Sequence, residues 1–284
     1  MSIKSMPFKS FILLSCALAL PVSAKPMLEP LWHTKDLRIP ESVLLGTVAK
    51  SPTLFVSEIE GQGTAADGLG GIALLNADGS IRQQNWLRGL NAPKGLASFQ
   101  GKLYVADLTE LVVIDIESAK VLEKISAPDS VFLNDVAVDS KGMVYVSDTR
   151  KNRLYRLQQN NLKPWLENVE AANGLTFVGD QLYIGAGDKL FKADDQGKLT
   201  VIAQGFAERA DGVEPVGNGD FIVSCWAGLI YYVHADGKLD LLLDNRPHKL
   251  NTADIGWDNT QQILYVPTFL GNSVQAYQLK QPKG

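Results

Sequence analysis

Four oxygen-bearing side chains stand at one recurring phase of this 284-residue chain: Glu41, Asn134, Asn173 and Asp211. Lys94 and Ala253 occupy the same phase, and the six positions follow one another at intervals of 53, 40, 39, 38 and 42 residues. Carboxylate and amide oxygens suit a hard divalent cation, calcium above all, and not zinc or copper. Glu41 and Asp211 would set two negative charges against the two positive charges of such an ion. A plainer reading competes: Lys94-Gly95, Asn173-Gly174 and Asp211-Gly212 are common turn dipeptides. Glu41-Ser42 and Asn134-Asp135 are poor turn choices, and the coincidence of phase favours a common role.

The elements that must position these residues form a repeat. Short β-rich runs recur as Leu54-Phe55-Val56-Ser57, Leu103-Tyr104-Val105-Ala106, Val144-Tyr145-Val146-Ser147, Leu182-Tyr183-Ile184-Gly185, Phe221-Ile222-Val223-Ser224 and Leu264-Tyr265-Val266-Pro267. Their first residues are 49, 41, 38, 39 and 43 positions apart, the period of propeller blades. An apolar strand and a tight turn such as Asp139-Ser140-Lys141-Gly142 precede each run, and a third strand follows. The reading is all-β: a six-bladed β-propeller over residues 25–284, whose first strands line a central channel. The sixth unit ends at its third strand, Val274 to Leu279, while Leu31 to Thr34 precede Glu41 at about the distance of a fourth. The N-terminal strand is therefore expected to close the last blade, leaving no open edge there.

Residues 1–24 read as a signal peptide: Lys4 and Lys9, an apolar stretch from Phe11 to Val22, and small residues before a cleavage site near Ala24. That apolar stretch is too short to span a bilayer. The expected product is periplasmic or secreted, with 25 basic and 31 acidic residues, since the leader holds two of the 27 basic ones and none of the 31 acidic. Such a balance argues against nucleic acid or an anionic membrane as partner. Of Cys16 and Cys225 only the second lies beyond the leader, so no internal disulfide is expected. A closed ring has no need of a dimer, and a monomer is expected.

Glu41, Leu133-Asn134-Asp135, Ala172-Asn173-Gly174-Leu175 and Ala210-Asp211-Gly212-Val213 together resemble the senescence-marker-protein, gluconolactonase and luciferin-regenerating-enzyme family. The resemblance implies a six-bladed propeller with one divalent cation, often calcium, in its channel. It implies Glu41, Asn173 and Asp211 as ligands, Asn134 beside the metal, and hydrolysis of lactones or related esters. Two departures stand out: Glu41 is followed by Ser42-Val43-Leu44, where the family commonly has Gly-Pro and then Trp, and Phe132 stands where sugar-acid lactonases carry an arginine. The ligand set survives and the sugar-recognition set does not.

On that basis a small-molecule carbonyl compound would be the substrate, attacked by water at the channel mouth, with Asp211 as base or as ligand alone. Asp148, Trp226 and Thr268 end second strands near the mouth and are candidates for substrate contact, as is Lys94 in the ring. The glycine-rich segment Glu58 to Gly70 would form a rim or lid. His33, His234 and His248 fall on outer strands or loops, and no Gly-x-Ser-x-Gly occurs, so no serine triad is expected. The alternatives are a non-catalytic propeller that binds a protein or peptide, and a retired enzyme that keeps a structural calcium.

Overall fold

Alternation of side chains along each strand builds the ring. The computed structural model describes residues 25–281, together with Met1. Apart from Met1, the expected leader lies outside the described residues. Six four-stranded antiparallel sheets are present. Their inner strands are Pro40–Val48, Pro93–Phe99, Leu133–Val138, Ala172–Val178, Ala210–Gly217 and Gly256–Asp258. In the second strand of blade two, Leu103 and Val105 face blade one, while Tyr104 and Ala106 face blade three. A pleated strand sends successive side chains to opposite faces, so each blade feeds two interfaces. Six apolar clusters result, one between each pair of neighbouring blades around the ring. The protein is a six-bladed β-propeller.

The expected closure is present. Strand Met27–Thr34 pairs antiparallel with Val274–Lys280, Thr34 opposite Val274 and Met27 opposite Lys280. Trp32 stacks on Tyr265 of the last blade, with ring centroids 5.8 Å apart. Its indole N–H donates to the Ala77 carbonyl of blade one at 3.2 Å. Blades six and one also meet at the axis, where Ser42 and Asp254 form a parallel bridge.

Candidate functional site

Bulges, not turns, present the ring residues. In blades two to five the ladder between first and second strands skips from Pro93 to Leu96, Leu133 to Val136, Ala172 to Leu175, and Ala210 to Val213. Two residues thus face one in the partner strand, which bends the strand locally and re-aims its side chains. In blade one the slip falls between Pro40 and Ser42, at Glu41 itself. In blades one, three and five the backbone amide one position past the ring residue is taken by a serine of the next strand. Ser57 Oγ accepts from Ser42 N, Ser147 Oγ from Asp135 N, and Ser224 Oγ from Gly212 N, at 2.8–2.9 Å. The turn reading of Lys94-Gly95, Asn173-Gly174 and Asp211-Gly212 is thereby corrected, since all three dipeptides lie within strands.

Glu41, Lys94, Asn134, Asn173 and Asp211 converge on one cavity of about 240 Å³, whose other lining residues are Ile59, Gly63, Phe132, Trp226 and Phe269. Ala253, at the sixth position, is fully buried and brings no polar group. The amide orientations follow from the hydrogen bonds. Thr149 Oγ1 gives its proton to the Ala172 carbonyl, so it must accept from Asn134 Nδ2, at 2.9 Å. Asn173 Nδ2 donates to Asp211 Oδ1 at 2.8 Å. Both amide nitrogens are committed, and the amide oxygens are the atoms left for a ligand. Glu41 Oε2 is buried with no hydrogen-bond partner. Lys94 Nζ donates to the carbonyls of Ala92 at 2.8 Å and Gly63 at 3.3 Å, and lies 4.5 Å from the centre of the Phe132 ring.

Crowded carboxylates inside a low-dielectric channel resist ionisation. Burial, and after it the charge of Asp254, pushes the Asp211 carboxyl up to about 8, against the hydrogen bond from Asn173. Burial and then Asp211 raise Glu41 well above the usual carboxylate range, with Lys94 opposing. Burial lowers Lys94, opposed by Glu41 and Asp107. Among the described residues no cluster of three His, Cys, Asp or Glu side chains is placed to hold a metal. A cation here would need the amide oxygens of Asn173 and Asn134 beside the two carboxylates.

The three candidates for substrate contact at the ends of second strands divide: two are structural, as was the more natural expectation for each, and one lines the cavity. Asp148 is fully buried, and its carboxylate accepts from the backbone N–H groups of Val131, Phe132, Arg150 and Lys151. It shapes the segment carrying Phe132 and does not line the cavity. Thr268 is likewise buried, bonded to Ser273. Trp226, for which a packed blade position was the safer expectation, is 44% exposed on the cavity wall, edge-on to Phe269. No histidine lines the cavity, and the Cys225 thiol is buried and pushed up to about 12 by that burial, which makes it inert.

Sequence reasoning missed the layer one residue deeper, Asp135 and Asp254. Each ties three successive blades. Asp135 accepts from Leu175 N at 2.6 Å and abuts Gly95, while Asp254 accepts from Ser42 Oγ at 2.5 Å and abuts Gly212. Burial pushes Asp254 up to about 7. Both stand one position past the ring phase, in blades three and six, which the alignment of units could have revealed. Ile59 and Phe269 were missed too, because nothing local marks an apolar loop residue as a wall.

No protein-family model matches the chain, and no curated protein matches it. Solved structures do. A catalytically inactive variant of virginiamycin B lyase from Staphylococcus aureus, solved with quinupristin, gives a TM-score of 0.61 at 14% identity, over 90% of this chain and 99% of that one. A streptogramin B lyase gives 0.65 at 10% identity, over 90% and 98%. A protein described as a candidate gluconolactonase gives 0.63 at 14% identity, over 91% and 94%. At these identities the likeness establishes a shared fold, the propeller seen here over residues 25–281.

Proposed function

We propose that this protein is an exported, metal-dependent hydrolase of lactones or related esters, working at the channel mouth with one divalent cation, calcium for preference. The observation that carries the reading is the buried, unpartnered Glu41 Oε2 beside Asp211 and two amides with free oxygens. A buried carboxyl oxygen without a hydrogen-bond partner is costly to ionise, and a cation beside it would offset that cost beyond what Lys94 does. Glu41, Asn173 and Asp211 would hold the ion, with Asn134 beside it. When bound, such a cation polarises a carbonyl oxygen and stabilises the oxyanion that forms there.

The chain's own residues supply the rest. Asp211 is the carboxylate beside the reacting centre; it would take the proton from the attacking water and return it to the alkoxide oxygen released when the acyl C–O bond breaks. Asn173 holds Asp211 Oδ1 and leaves its other oxygen for that proton. Lys94 braces the Gly63 segment over the cavity by bonding its carbonyl. The structural neighbour described as a candidate gluconolactonase supports the reaction class by analogy, and the lyases show how freely function varies on shared folds.

One observation favours a second reading. Lys94 already brings an ammonium to the ring. That suits a non-catalytic propeller which has given up its cation and binds a peptide or protein at this mouth. A panel of alkyl, aromatic and sugar lactones, assayed with calcium, separates the two. The hydrolase reading expects turnover that falls at least about 100-fold in Asp211→Asn, the range in which a general base contributes. Equal rates in the two proteins, or none above background, would count against it.

A further inference from the structure

Resting on that hydrolase reading, we infer that the substrate carries an apolar substituent, an alkyl chain or aromatic ring, and is not a polyhydroxylated sugar lactone. The groups that could meet hydroxyls belong to the ring of inner strands, at the base of the cavity. The walls are Ile59, Phe132, Trp226 and Phe269. Phe132 is held by two cations, with Lys94 Nζ 4.5 Å and the Arg150 guanidinium 4.4 Å from its centroid. That arrangement fixes the apolar ring in the cavity wall. Trp226 meets Phe269 edge-on, with centroids 5.4 Å apart. A polyhydroxylated ring seated here would find side-chain partners for its hydroxyls at the ring of inner strands and few along the walls.

Three exposed apolar side chains stand on the segments at the same end of the ring. Leu69, Val131 and Leu270 are 48, 45 and 64% exposed. Leu69 and Leu270 lie in the loops joining second to third strands of blades one and six, and Val131 just before the inner strand of blade three. Antiparallel order brings all three segments to the mouth at which the ring residues open. On the side of blades three to five the mouth is polar instead, with Thr149, Glu208 and Arg209 lining the pocket that shares Asn173 and Trp226, so the apolar surface is confined to the walls named above and to these three exposed side chains.

The wall is also held under strain. Among the described residues the large apolar side chains with left-handed backbone are Ile39 (φ 53°), Leu108 (φ 57°) and Phe269 (φ 48°). All three pack in one small cluster with Ile59 and Ala92, of which Ile59 and Phe269 line the cavity. Bulky residues keep that conformation only where their surroundings enforce it, and such positions gather at ligand clamps.

The test is calorimetric binding of lactams, which cannot be turned over as lactones are, to the protein in calcium. The probes are unsubstituted valerolactam, its butyl and hexyl derivatives, and gluconolactam. The inference expects affinity to rise about fourfold per methylene buried. It also expects gluconolactam to bind no better than the unsubstituted ring, and Trp226→Ala, at an exposed position, to flatten the chain-length dependence. Affinity independent of chain length, or tighter binding of gluconolactam, overturns it, as does failure of every lactam to bind. The lactone panel reports separately on the reaction. Turnover of sugar lactones alone would remove the apolar substrate and keep the hydrolase, whereas tight alkyl-lactam binding without turnover of any lactone would keep the ligand class and remove the hydrolase.

Discussion

Asp211 and Glu41 were legible as oxygen donors because their phase in the repeat is visible in the sequence. Their protonation was not, since it depends on Asp254 and on the depth of the channel. Asp148 shows the limit of such reading: its place near the mouth could be inferred, but not the four amides that occupy it. A pH effect belongs at this scale. Folded Asp211 and Asp254 titrate at about 8 and about 7, against about 4 for an unfolded aspartate. Between those values the folded protein holds more protons than the unfolded one, so stability falls as pH rises through the window. In chelator-treated protein the thermal midpoint should drop between pH 5 and 8.5, and added calcium should oppose the drop by favouring the ionised carboxylates. Asp211→Asn should flatten the slope. A midpoint that climbs with pH in chelator would contradict this electrostatic account.

At the scale of elements, the strands were legible because alternation and turn residues recur with every unit. The bulges were not. An Asn-Gly or Asp-Gly pair suits a turn and a bulge alike, and only pairing with the next strand decides between them. The glycine after the ring residue has a packing cause. A Cβ at Gly174 would stand 1.9 Å from the Asp211 carbonyl oxygen, a backbone atom that cannot turn aside. Gly174→Ala should therefore destabilise the fold by about 3 kcal/mol in urea unfolding, the upper end for overpacking. Gly179→Ala, in the hairpin of the same blade with φ +60° and open space around it, should lose only about 1 kcal/mol, through its backbone. Equal losses at the two sites would mean that inter-blade contact does not set the bulge.

At the scale of the whole molecule, the ring could be read because six units and one displaced strand account for the chain from Met27 to Lys280. The channel's depth of charge could not, because Asp135 and Asp254 meet their partners only when successive blades come together. Closure has a functional side. Ring residues from blades one, three, four and five share one cavity only while blade six holds blade one in place through Trp32 and the Ser42–Asp254 contact. A cation at the axis would join those blades from the inside. The most direct test is calorimetric titration of calcium into chelator-stripped protein at pH 8. The account predicts one site per chain, weakened at least about tenfold by Asp211→Ala and by Glu41→Gln in protein that remains folded. Absence of a stoichiometric site in the unmodified protein, or a site that survives both substitutions unchanged, would contradict it.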